Sequence, residues 1–118
     1  MRWLSYKQAA GQDDRYIHLA REWGVSEVAR GAKGFMGVYR RAKSANAMKA
    51  TPYSDSLLWG RRRDNFVKRH LAQYRRNPTL RRALALRMRA YAVDDGGKLE
   101  TAAAAKAATP KAKRLRMV

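Results

Sequence analysis

The chain of 118 residues contains no cysteine, two histidines, three prolines and nine acidic residues. The missing cysteine excludes disulfides, thiolate nucleophiles and cysteine-based zinc sites. His18 and His70 are far apart in sequence with no cluster of further ligands near either, so neither a metal centre nor a cofactor is expected. His70 falls among apolar helix positions beside Phe66 and Tyr74, where a partly buried ring is the simplest reading. The six aspartates stand at helix starts, in the pair Asp94-Asp95 or beside arginines, and the three glutamates are scattered. None suggests a general acid matched to a general base, and no serine occupies a nucleophile elbow, so an enzyme is not expected. No apolar run approaches the roughly 20 residues that cross a bilayer. The start, Met1-Arg2-Trp3-Leu4-Ser5-Tyr6, is too polar for a secretory signal. The expectation is a protein without membrane contact, kept inside the cell or particle that makes it.

Positive charge is what the chain has in excess. Lys and Arg number 27, the formal net charge is +18, and the pI is about 11.3. A compact chain so charged repels itself and favours a polyanionic partner. Its length fits one domain with a small core, for which three tryptophans and six tyrosines supply large surfaces to bury.

The organising stretch runs from Ser54 to Val93 and reads as two helices joined by Arg76-Asn77-Pro78-Thr79. At 3.6 residues per turn, Trp59, Phe66, Val67, His70, Leu71 and Tyr74 gather on one side, with Arg61, Lys68, Arg69, Arg75 and Arg76 on or near the other. Leu80, Leu84, Met88 and Tyr91 continue the pattern, flanked by Arg81, Arg82 and Arg89. The first helix is expected to start at Ser54 or Asp55; Asn77 is expected to cap the second, with Pro78 at its first position. Arg63 falls on the apolar side, where it can stack on an aromatic face or pair with Asp64 or Glu22.

Before this stretch, residues 1–12 read as an arm docked on the domain. Asp13 or Asp14 can cap a helix through Trp23, with Gly24 suited to a left-handed end. Leu19 to Ser26 resembles the first half of a helix-turn-helix DNA reader, with Ala20 and Val25 at the contact positions. The second half departs from it, because Arg30, Gly31 and Lys33 stand where a recognition helix faces its core; an ordinary capped helix and glycine turn is the preferred reading. Gly31, Gly34 and Gly37 lack the context of a nucleotide loop or a G-x-x-G clamp, which leaves close approach to a neighbouring helix or chain. Val38 to about Lys43 suggests a short helix, and Pro52 requires a break near Thr51. Residues 94–118 are expected to form a disordered basic tail, with too few large apolar groups to offset ordering entropy. Their Ala-, Lys- and Thr-Pro-rich composition resembles the tails of linker histones and other chromatin or nucleoid proteins.

The expectation is therefore an all-α domain of about four helices within residues 13–93, with arm 1–12 and tail 94–118. It binds nucleic acid, DNA ahead of RNA, by charge and without sequence preference, and leaves oligomerisation open. The expected phosphate contacts are Arg61, Arg62, Lys68, Arg69, Arg75, Arg76, Arg81 and Arg82, assisted by Lys111, Lys113, Arg114 and Arg116. With six to eight engaged, affinity should fall with log salt at a slope of roughly −5 to −7.

The segment Trp59 to His70, containing Phe66-Val67-Lys68-Arg69-His70, and the segment Pro78 to Tyr91 together resemble small basic proteins of large double-stranded DNA viruses and phages. Gly34-Phe35-Met36-Gly37-Val38-Tyr39 is similar to their upstream glycine-aromatic-tyrosine segment. The resemblance covers about half the chain and implies a virion or viral nucleoprotein setting. A nucleoid, or the nucleus of a eukaryotic host, suits the composition as well. Two alternatives stand beside DNA neutralisation: a minor capsid or cement protein bridging acidic capsid subunits, and a sequence-specific helix-turn-helix binder.

Overall fold

The computed structural model describes residues 1–105, which are mostly helical. α1 (Tyr6–Ala10) is short and held by a reciprocal cap: Ser5 Oγ accepts from the Gln8 N–H at 3.1 Å, and Gln8 Oε1 from the Ser5 N–H at 2.9 Å. The expected aspartate cap is absent. Asp13 and Asp14 both take left-handed backbone conformations in a 3₁₀ turn, Gln12–Asp14, and α2 (Arg15–Trp23) begins without a side-chain cap. Gly24 closes α2 at φ 66°, and the Val25 N–H donates to the Ala20 carbonyl at 2.8 Å. α3 (Glu27–Arg30) is a single turn ended by Gly31, so no recognition helix follows α2.

The glycine run lets α4 (Phe35–Ala42) press onto α3. A Cβ on Gly34 would overlap the Val28 carbonyl oxygen, and one on Gly37 would overlap the carbonyl of Gly31. Close approach also explains Gly60, where an added Cβ would lie 3.1 Å from the Lys49 backbone. The expected four helices are divided more finely. Lys43 adopts φ 72° and ends α4, and Ser44 Oγ accepts from the Ala47 N–H to start α5 (Ala45–Lys49). The long helix begins later than Ser54 or Asp55 because Pro52–Ser54 (β1) pairs antiparallel with Leu57–Leu58 (β2) as a small hairpin. α6 (Trp59–Arg76) follows, its first N–H held by the Thr51 carbonyl at 2.8 Å.

At the next turn the cap is Thr79, whose hydroxyl accepts from the Arg82 N–H at 3.1 Å, and α7 runs Leu80–Arg87. Asn77 instead ends α6, its N–H bonded to Gln73 O at 3.0 Å, and Pro78 stands one residue before the cap. A residue preceding proline avoids the helical region, and Asn77 does so at φ −148°, ψ 82°.

α7 was expected to reach the region of Tyr91 and Val93 but stops at Arg87, where the Tyr91 N–H returns to Leu86 O at 3.1 Å, and the chain just beyond it packs on Arg63. This side chain is fully buried, the one polar side chain in the core among the described residues. Its Nε donates to Arg89 O at 2.7 Å, Nη2 to Ala90 O at 2.8 Å and to Arg2 O, and Nη1 to Asp64 Oδ1 at 2.8 Å. The guanidinium also lies 4.4 Å from the Trp3 ring centre. Carbonyls that would continue α7 are turned toward Arg63, and Ala90 takes φ 60°. Burial pulls the Arg63 pKa down while Asp64 opposes the shift.

Residues of the N-terminal arm share this junction. The Leu4 N–H donates to Ala90 O at 2.8 Å, the Tyr39 hydroxyl to Leu4 O at 2.6 Å, and Trp3 Nε1–H to Asp64 Oδ1 at 3.2 Å. Trp3, Phe35, Tyr39 and Trp59 form a chain of tilted and edge-on ring contacts between α4 and α6. Order also continues past residue 93. Asp95 Oδ2 accepts from the Leu99 N–H at 2.9 Å, residues 98–105 are helical, and Leu99 and Ala103 are buried in the core. The disordered-tail expectation therefore fails for 98–105, and its remainder, residues 106–118, lies outside the described residues.

Candidate nucleic-acid interface

α6 separates its two sides sharply. Trp59, Gly60, Arg63 and Val67 are buried, spaced so as to face the core. At about 100° per residue, Arg61, Arg62, Lys68, Arg69, Arg75 and Arg76 occupy an arc of roughly 140° on the other side. Five of these six are exposed and Arg62 is half-buried, the arc running about 22 Å along the helix at about 1.5 Å per residue. The sole carboxylate on α6, Asp64, turns to Arg63 and Trp3 rather than to this arc. No acidic residue stands in the first turn, so the positive end of the helix dipole adds to Arg61 and Arg62.

Neighbouring groups sharpen the charge on one flank. Arg62 stacks on Tyr53 of the hairpin at 3.9 Å, while Arg89, carried past the end of α7, lies 4.0 Å over Phe66, whose other contact is a stacked His70 at 3.8 Å. Burial, then repulsion from Arg62 and Arg69, brings the Arg89 pKa down to about 10, leaving it charged at neutral pH. The same forces hold His70 below the ordinary histidine pKa: burial first, then Arg69 and Arg89. Arg89 is the member of this flank that helical spacing missed. Its approach to α6 depends on the interrupted α7, which no local pattern encodes.

The other expected contacts are placed differently. Arg81 Nη1 donates to Trp23 O at the end of α2, and Arg82 Nη1 to Asn77 O of the connecting turn at 3.0 Å, so both use part of their donor capacity to brace the fold. Arg82 thereby adjoins the end of the arc at Arg76. Lys111, Lys113, Arg114 and Arg116 lie outside the described residues. Asn65 and Gln73, the side chains on α6 able to read base edges, are exposed on the basic side.

Among the described residues no group of three His, Cys, Asp or Glu is positioned to hold a metal ion. No helix among them is long and apolar enough to cross a membrane. No family model, curated protein or solved structure matches the chain.

Proposed function

We propose that the chain binds nucleic acid through the outer side of α6, by charge and without sequence preference, and serves as a structural component that neutralises packaged DNA in a virion or nucleoid. The observation that carries this reading is the six-cation arc with its carboxylate turned inward. Unpaired guanidinium and ammonium groups along about 22 Å of a rigid helix meet a duplex that presents one phosphate per about 1.7 Å of axis. Contact releases condensed counterions and relieves repulsion within the chain. The resemblance to small basic proteins of large DNA viruses and phages agrees with the setting.

A second reading, a cement protein bridging acidic capsid subunits, draws on the hairpin beside the arc, where Tyr53 and Leu58 are 44% and 48% exposed. Apolar anchors next to cations suit a protein surface. The helix-turn-helix reading is weakened by the single-turn α3.

A salt titration on random duplex DNA separates these readings. Six contacts predict a slope of about −5. Substituting Arg61→Glu, Lys68→Glu, Arg75→Glu and Arg76→Glu together should flatten it to about −2 or less with helix content unchanged. None of these four side chains braces the fold. A cement protein instead binds duplex weakly and saturates at fixed stoichiometry with capsid protein. Unchanged duplex affinity in the fourfold variant would remove the proposal.

A further inference from the structure

A second concentration of positive charge lies away from α6. α2, α3 and α4 enclose an open cleft of about 420 Å³ lined by Arg21, Arg30, Arg40 and Arg41, with His18 beside them and Asp14 as the one carboxylate. The side chains of Arg21, Arg40 and Arg41 are exposed, whereas Arg30 is fixed from below by its Nε–H bond to Val25 O at 2.8 Å. Gly37, which lines the cleft, owes its place to the packing of α4 on α3.

The direction of this cleft follows from α4. Phe35 meets Trp59 of α6 at a ring separation of 6.0 Å, and Tyr39 meets Trp3 at 6.0 Å, so this side of α4 faces α6. At about 100° per residue, Arg40 and Arg41 stand roughly 120–140° round the helix from Phe35. The cleft and the α6 arc therefore look outward from opposite sides of one aromatic layer.

We propose that the cleft is a second phosphate-binding surface and that a single chain bridges two nucleic-acid duplexes, one on α6 and one across α2, α3 and α4. Four guanidinium groups converge on a concave opening sized for backbone phosphates, and arginine forks bind phosphate through paired N–H donors. This rests on the reading of α6 as the primary duplex contact. It adds a mechanism: neutralisation alone thins the repulsion between packed segments, whereas bridging draws two of them together.

The test is capture of a fluorescent random duplex by an identical duplex fixed to beads, using the full chain at roughly 0.1 M salt. The wild-type chain captures the free duplex. Arg21→Gln, Arg40→Gln and Arg41→Gln together should lower capture at least tenfold while affinity for a single duplex, measured separately, stays within threefold. Unchanged helix content by circular dichroism reports that the variant is folded. A control with the same charge loss at Lys7→Gln, Lys43→Gln and Lys98→Gln should still capture. Undiminished capture by the cleft variant, or equal loss in the control, would overturn the bridging proposal. If the wild-type chain binds no single duplex, the α6 reading itself fails.

Discussion

Replacing Arg63 by Ala tests the architecture at its most exacting point. In the folded chain the guanidinium satisfies Arg89 O, Ala90 O, Arg2 O and Asp64 Oδ1. Two acceptors have a second donor: Ala90 O keeps the Leu4 N–H, and Asp64 keeps the Trp3 indole. Arg2 O and Arg89 O, both partly buried, lose their Arg63 donor, at about 1–3 kcal/mol for each acceptor left unmade. Adding the lost stacking over Trp3 brings the expected destabilisation to about 3–5 kcal/mol, the range for breaking a buried charged group from its partners. Small domains are stable by about 5–15 kcal/mol, so the change removes a large fraction of the total.

Urea unfolding followed by tryptophan fluorescence reads this directly. With a slope near 1.5 kcal/mol per M, the midpoint should fall by about 2–3 M. Arg63→Lys keeps the charge but offers three donors without the planar fork, so a loss of about 2 kcal/mol is expected. Duplex affinity per folded molecule should stay unchanged, because Arg63 is absent from the outer arc. Both variants unfolding within about 1 kcal/mol of the wild type would refute the assignment of Arg63 as the brace between arm, α6 and the chain after α7.

The cap at the α6–α7 turn is tested by a pair: Thr79→Ala should cost about 1 kcal/mol, and Asn77→Ala a few tenths, in the same urea assay. The reverse order would restore Asn77 as the cap. His70 gives a pH test. Its folded pKa lies below the ordinary value of about 6.5, so the unfolded chain takes up the proton first. Stability is full above about pH 6.5 and falls as pH drops through the window between the two pKa values. The urea midpoint should therefore decline from pH 7.5 to 5.5, and His70→Gln should lessen that decline; an identical decline would remove the histidine as its cause.

Helical periodicity was enough to sort α6 into a core side and a cationic side, because both depend on positions three and four apart. It also placed Arg63 on the core side, and the alternatives of aromatic stacking and pairing with Asp64 both occur, on Trp3 and on Asp64. Elements that depend on tertiary partners were not legible. Propensity favours helix through Met88 and Arg89, but Ala90 turns left-handed there and the carbonyls of Arg89 and Ala90 accept from a guanidinium of another helix. Leu99 and Ala103 sit in a stretch too poor in large apolar residues to suggest folding alone, yet Asp95 starts a helix that lays both against an existing core. The hairpin before α6 went unseen because two very short strands leave little alternation to detect. The cleft arginines were each visible, but they come from three elements and converge only in the fold.

The disposition of the scarce carboxylates links fold to function. Asp64 is turned inward to Arg63 and Trp3, Asp94 accepts from the Gly96 N–H, and Asp95 accepts from the N–H groups of Gly97 and Leu99. These three carboxylates thus hold the junction and the start of the last helical segment, where they fix geometry. Cations on the outer arc keep their mutual repulsion, which adds to burial in drawing the Arg89 guanidinium pKa down to about 10 beside Arg62 and Arg69. Had the same acids been spent as surface counter-charges, each exposed pair would have gained at most about 1 kcal/mol and dulled the attraction for phosphate. Turning Asp64 inward stabilises the junction and, on the proposed reading, leaves the outer charge of α6 for a polyanion to neutralise.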